Sequence, residues 1–273
     1  MPIKDLLVHI DNTSACKDRI LAAQKIADVD SAHITGIYTY QVVIVPTYTE
    51  VGVPAYIYTE IEASNKELAE QAKASFNDSM SSWESKTAWE CHEGDRAMTI
   101  AKVAANHDLV VLGQHNPEDE LDRNAGVAAQ VAISSGRPAM IIPHSGTLDH
   151  IGKRILVAWD GEKEAVRAVN DAMPFLKAAE AVEVVNINRS DDPGIPCAEI
   201  AAHLARHDIM VEAGNAHTKS RHTGEAILYL AQNFGADLIV MGAYGHSRLR
   251  ELVIGGATKH VLEKTTVPVL ISH

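Results

Sequence analysis

A pattern stated twice constrains this chain more than any other feature. The run Lys4-Asp-Leu-Leu-Val-His-Ile-Asp11 is apolar and closes on a carboxylate. Lys153-Arg-Ile-Leu-Val-Ala-Trp-Asp160 repeats it 160 − 11 = 149 residues later. Gly113 and Gly126 recur as Gly242 and Gly255, both at 242 − 113 = 255 − 126 = 129, and Pro138 recurs as Pro268 at 268 − 138 = 130. Each copy holds five short apolar, β-branched runs separated by stretches of helical period, which is enough strands for a sheet of its own. Strands alternating with helices imply parallel order, right-handed crossovers and ligand binding beyond the carboxyl ends of the strands. The offset drops by 149 − 129 = 20 residues, so the first copy carries about that much additional chain. Residues 41–58 largely supply it, and two prolines and a glycine there exclude one regular element.

In the first copy, strands are expected at 4–11, 32–40, 87–92, 108–113 and 138–143. Asn12, Thr13 and Ser14 are potential caps for a first helix with Ile20, Leu21, Ile26 and Ala27 on its inner face. A long helix over about 59–84 carries Ile61, Leu68, Ala72, Phe76, Met80 and Trp83 at core spacing. Further helices are expected over 95–106 and near 124–135. The second copy reads as strands at 153–160, 182–188, 209–213, 237–241 and 267–271, with helices over 162–179, 198–207, 224–234 and 257–263. The expected layout is a domain over 1–144, a polar linker over 145–152 and a domain over 153–273. The fifth strands, Ala139 to Ile142 and Val269 to Ile271, are apolar edges that need a partner, and antiparallel pairing with each other satisfies both.

With 46% hydrophobic and 22% charged residues the chain can bury a core. A formal net charge of −12 repels nucleic acid, so no nucleic-acid partner is expected. No apolar run is long enough for a membrane span, and the charges within the first apolar run mark a strand rather than a signal peptide. Cys16, Cys91 and Cys197 are odd in number and widely spaced, as reduced thiols of a cytoplasmic protein would be, and Cys91 on a strand is expected to be buried and inert.

The stretch most suited to a ligand is Asp237-Leu-Ile-Val-Met-Gly-Ala-Tyr-Gly-His-Ser-Arg-Leu-Arg-Glu-Leu-Val-Ile-Gly-Gly-Ala-Thr258. A buried strand ends in a glycine loop, and a helix follows. Glycines let backbone approach an anion, and the N–H groups opening a helix are unpaired at the positive end of its dipole. The loop is neither a Walker loop nor Gly-x-Gly-x-x-Gly. Its spacing, Gly242-x2-Gly245-x9-Gly255, resembles the nucleotide loop of the universal stress protein family. With Asp11, Asp160 and the closing Pro-Val-Leu-Ile, the whole chain looks like a tandem member of that family.

The resemblance implies an α/β fold of two tandem open parallel five-stranded sheets with helices on both faces, adenine nucleotide alpha hydrolase-like or Rossmann-like. Some members of the family bind ATP, and others lack the loop and do not. Here it implies ATP, with or without Mg, on the second copy. Asp160 would lie near adenine or ribose, Ile187 would contact adenine, and Met241 and Gly242 would border the ribose and α-phosphate. Gly245, His246, Gly255, Gly256 and Ala257 would offer backbone N–H groups to the phosphates. Asp160 also suits a helix N-cap, and Ile187 ordinary core. The resemblance further implies an intramolecular pseudo-dimer, and two chains associating further as a homodimer.

Two departures from the family pattern matter. Gly256 stands where the family usually has Ser or Thr, which removes one side-chain donor to phosphate. The first copy has Asn116 at the second glycine, Val127 at the hydroxyl position, and Glu118, Asp119, Glu120 and Asp122 where polyphosphate would lie. Charge repulsion marks it as degenerate for nucleotide.

Other signals are sparser. His203 and His207, four apart on a helix, suit either a metal or a plain surface, and no third ligand accompanies them. Ser247 beside His246 reads as an anion contact rather than a nucleophile, and no catalytic set emerges. Three functions remain open: a nucleotide-binding stress regulator, a low-turnover ATPase, and an interaction scaffold without nucleotide. The lack of an evident base or arginine finger favours the regulator. Tyr38, Tyr40, Tyr48, Tyr56 and Tyr58 cluster in or beside residues 41–58, which suggests either an apolar ligand surface or a plug for the vacated first site.

Overall fold

The computed structural model describes residues 2–41, 55–83, 86–146, 148–188, 197–217, 223–243 and 256–273. The first half runs β1 (Asp5–His9), α1 (Cys16–Asp30), β2 (His33–Tyr40), α2 (Ala55–Met80), β3 (Thr87–Glu93), α3 (Arg96–Ala104), β4 (Leu109–Gly113), α4 (Val127–Ser134) and β5 (Ala139–Ile142). The second runs β6 (Arg154–Ala158), α5 (Lys163–Asp171), α6 (Met173–Ala178), β7 (Ala181–Asn188), α7 (Cys197–Ala205), β8 (Val211–His217), α8 (Thr223–Phe234), β9 (Leu238–Gly242), α9 (Gly256–Lys264) and β10 (Val269–Ser272).

The strands form one ten-stranded sheet in the order β3-β2-β1-β4-β5-β10-β9-β6-β7-β8. Read inward from either end the order is the same, so each half repeats the other's topology. All pairs within a half are parallel. The seam is antiparallel, with Val269 opposite Ile141, Leu270 opposite Met140 and Ile271 opposite Ala139. The two fifth strands thus cover each other's open edges, as their sequences require, and the two sheets merge into one. Every residue of β5 and β10 is buried.

Strand residues alternate between two cores, because successive side chains leave opposite faces. Leu6 and Val8 belong to the core covered by α1, α2, α5, α6 and α7, whereas Leu7 belongs to the one covered by α3, α4, α8 and α9. Helices therefore cover both faces of the sheet.

The structure also departs from the pattern reading. Helix α1 starts at Cys16 with Ala15 as its N-cap and no side-chain cap, because Ser14 is turned to Asp119 instead. Leu21 is exposed, and Arg19 takes an inward place beside Ile20 and Ala23. Helix α2 stops at Met80, so Trp83 packs against the core from beyond its end. The single helix expected over 162–179 breaks at Ala172, where Pro174 opens α6 without an N–H to bond backwards. Cys91 is exposed, since the outer strand β3 has only intermediate and exposed positions. Of the additional chain, residues 42–54 lie outside the described residues.

Candidate functional site

In each half the first strand has the second strand on one side and the fourth on the other. The chain thus leaves neighbouring strands in opposite directions, between β1 and β4 and again between β6 and β9. A crevice forms beyond the carboxyl ends of such pairs.

In the second half, Asp160 lies just past β6 and is exposed. Its Oδ1 accepts from Glu162 N at 3.0 Å, and Gly161 at φ 79° completes the turn into α5. Asp160 therefore shapes the turn without being the N-cap, which is Glu162. On the neighbouring strand Met241 is buried, opposite Ala158 on one side and Ile271 on the other. Gly242 is a forced glycine: a Cβ there would lie 2.5 Å from Ala165 N and 2.7 Å from the carbonyl carbon of Glu164. Backbone meets backbone at this point, and neither side can yield. Ile187 sits near the end of β7, opposite Ala216.

Gly256 is the first residue of α9, followed by Ala257 and the buried Thr258. Among the described residues a Cβ on Gly256 would meet no atom within 4 Å. The starts of α8 and α9 are pressed together, since a Cβ on Gly224 would be 2.7 Å from Ala257 O. The structure thus brings Asp160, Ile187, Met241 and Gly242 to the ends of three adjacent strands, β7, β6 and β9, with Gly256 and Ala257 opening the helix that follows β9. Gly245, His246 and Gly255 lie outside the described residues.

The same place in the first half is filled. Arg19 is 2% exposed, and its guanidinium stands against Gly113, where a Cβ would come within 2.7 Å of Nη2. Nη1 donates to Asp11 Oδ2 at 3.1 Å and to His9 O at 2.7 Å, and Nη2 donates to Asp11 Oδ1 at 3.4 Å. Asp11 also accepts from Thr13 N at 3.1 Å and from Asn124 Nδ2 at 2.8 Å. Arg96 in turn donates to Asn124 Oδ1 at 3.1 Å and to Thr39 Oγ1 at 3.4 Å.

This network sets its own protonation. Burial alone would raise the Asp11 carboxyl, but the Arg19 guanidinium and the Thr13 hydrogen bond outweigh burial and hold it far below the usual carboxylate range. Burial lowers His9 to about 3, with Arg19 and Arg96 adding to the effect against Asp11. Arg19 Nη1 lies 3.2 Å from His9 Nδ1. A guanidinium can only donate, so that ring nitrogen is the acceptor of a neutral imidazole.

The acidic loop after β4 completes the plug. Asp122 is buried and accepts from Asn116 N at 2.7 Å and from Asn124 N at 2.6 Å, with His115 Nδ1 at 3.1 Å. Asp119 accepts from Ser14 N and Oγ, both at 2.9 Å, and from Leu121 N at 2.9 Å, and these bonds lower its carboxyl. Backbone amides that could face an anion are thus already taken by the protein's own carboxylates. The pattern reading gave charge repulsion as the obstacle here, and these bonds add a second one.

Arg19, Arg96, Asn124 and His9 escaped the pattern reading. One signal for Arg19 was available: a cation at i, i+4, i+8 with Ala23 and Ala27, within an inward stripe and shortly after a strand-end aspartate. The His203 and His207 rings lie edge to face with centroids 4.9 Å apart. Among the described residues no group of three or more His, Cys, Asp or Glu could hold a metal ion. No described helix is long and apolar enough to cross a membrane.

Comparison with known proteins agrees with the fold. Residues 152–273 match the model of the Universal stress protein family. Universal stress protein Slr1230 of Synechocystis is 53% identical over 179 residues, covering 63% of this chain and 60% of its own length. Universal stress protein MJ0577 of Methanocaldococcus jannaschii is 38% identical over 47 residues, 17% of this chain and 29% of its own. The chain therefore spans less than two thirds of either curated relative. The crystal structure of a universal stress protein from Archaeoglobus fulgidus superposes with a TM-score of 0.74 at 17% identity, covering 98% of this chain and 97% of that one. At that identity the likeness is one of fold.

Proposed function

We propose that this chain is an ATP-binding stress-response regulator made of two universal stress protein domains, residues 1–144 and 153–273 joined by 145–152, with nucleotide held by the second alone. The observation that carries the reading is the contrast between the two strand-end sites. Arg19, Asp119 and Asp122 fill the first, whereas in the second Asp160 is exposed and, among the described residues, a Cβ on Gly256 would meet no atom within 4 Å. Such a helix opening suits a phosphate, because glycine lets an anion approach the backbone and the first turn of α9 supplies N–H donors. Asp160 and Ile187 would take the adenosine end, and Met241 and Gly242 the ribose and α-phosphate. The N–H groups of Gly245, His246, Gly255, Gly256 and Ala257 would take the remaining phosphates, together with any Mg they carry. The missing hydroxyl at position 256 weakens binding by about 1.5–3 kcal/mol without abolishing it.

Titration with ATP should give one site per chain, and Gly245→Asp should remove it by steric and like-charge clash. Two sites per chain, or unchanged affinity in that variant, would refute the assignment. Phosphate release from the same samples separates a regulator that holds ATP from a slow ATPase.

A further inference from the structure

Gln114 follows Gly113 at the end of β4 and is buried, with 4% exposure. Its Nε2 donates to Leu262 O at 3.0 Å and to Thr265 O at 3.2 Å, and its Oε1 accepts from His144 N at 3.0 Å. One amide of the first half therefore closes the carboxyl-terminal turn of α9, a helix of the second half. The last carbonyls of a helix have no partner within it and carry the negative end of its dipole, so a buried donor there is worth more than a surface one. Thr265 is 1% exposed, so little water reaches this turn. The other end of Gln114 is pinned to His144, two residues past β5, beside the seam between the halves.

The arrangement runs in one direction only. The residue at the matching place in the second half is 114 + 129 = 243, and Ala243 has no polar side chain to reach α4. Ser135 Oγ bonds Arg137 at the end of α4 as Thr265 Oγ1 bonds Val267 at the end of α9, and α4 is held further within its own half by Arg137 bonding Ala105 O. The helix held across the seam is the one whose first turn opens the candidate phosphate site. Helix α9 has only nine residues, about 14 Å at 1.5 Å per residue. Freedom at one end of so short a rod is felt at the other.

We propose that Gln114 is a positioning residue for the nucleotide. It holds α9 by its carboxyl end, keeps the N–H groups of Gly256 and Ala257 aimed at the phosphates, and ties that helix to the first half. The role rests on the reading of the second domain as the ATP site. Gln114→Met keeps the shape and removes the donors. Its ATP affinity should fall about tenfold, the size of one or two net hydrogen bonds, while adenosine, which has no phosphate for α9, binds within about twofold of the unaltered protein. Amide exchange over residues 261–265 of the nucleotide-free variant should quicken, while β9 and β10 keep their protection. If Gln114→Met does not fold, Gln114→Glu serves. Its carboxylate repels the two carbonyls when ionised and donates to one when protonated, so its ATP affinity relative to the unaltered protein should recover as the pH is lowered. Equal loss of ATP and adenosine, or unchanged ATP affinity in a protein that otherwise binds it, would overturn the role of Gln114 alone. No ATP binding by the unaltered protein would overturn the site and this role together.

Discussion

Gly256→Ser tests the second-domain site by repairing it. A Cβ at Gly256 meets no described atom within 4 Å, and the backbone φ is not in the left-handed region, so no described residue obstructs the substitution. Two gains should follow, and they can be separated. Replacing a glycine at a compatible φ stabilises the folded chain by about 0.4–1 kcal/mol through the unfolded state. That raises the melting temperature by about 1–4 °C for a protein of this size. The second gain needs the ligand: a hydroxyl donating to phosphate is worth about 1.5–3 kcal/mol, or about ten- to one-hundred-fold in affinity. Gly256→Ala supplies the first gain without the second. Calorimetric titration of both variants with ATP and with adenosine should show tighter ATP binding in the serine variant only, and no change for adenosine in either. Matching ATP affinities in the serine, alanine and unaltered proteins would mean that the first turn of α9 does not face phosphate.

Two further outcomes concern the plugged first half. Arg19→Met leaves the Asp11 carboxylate buried without its counter-ion, so denaturant unfolding should show a loss of about 3–5 kcal/mol. The double variant Asp11→Asn/Arg19→Met should lose clearly less than the single change, and an equal loss would mean that the pair is not the reason for the cost. Because folded His9 stays neutral down to about 3 while an unfolded histidine takes a proton near 6.5, the unfolded state binds the extra proton between those values, and stability should fall with pH by about 1.4 kcal/mol per unit in that window. His9→Gln should flatten that slope, and Asp11, whose carboxyl is depressed, adds its own loss only below about pH 4.

The succession of strands and helices, the parallel halves and the edge-to-edge seam were legible because each rests on local apolar pattern or on strand edges. Leu238–Gly242 reads as a buried strand in any context, and Ala139 to Ile142 cannot be left as a bare edge. What escaped depends on distant partners. Asn12, Thr13 and Ser14 all look like caps, yet Ser14 is claimed by Asp119, 105 residues away. Arg19 looks like a solvent-facing cation until Asp11 and the bare face of Gly113 are placed beside it. Cys91 lies on a strand, but the strand is the outermost one. Composition carries no signal for which strand ends the sheet.

Asp11 and Asp160 show how one sequence signal can serve two ends. Both close a first strand, and both accept from a backbone N–H two residues on, Thr13 N and Glu162 N. Their environments differ because position 19 is arginine in one half and its counterpart at 19 + 149 = 168 is alanine in the other. A buried guanidinium at Gly113 needs a counter-charge, and the strand-end aspartate is the carboxylate within reach. Once that pair has formed, Asn124 and Arg96 join it, and the acidic loop can fold back onto its own amides. The buried Ala168 makes no such demand, so Asp160 remains at the surface beside Gly242. A single charged side chain in the first helix thus separates a strand-end aspartate that is paired and buried from one that stays exposed.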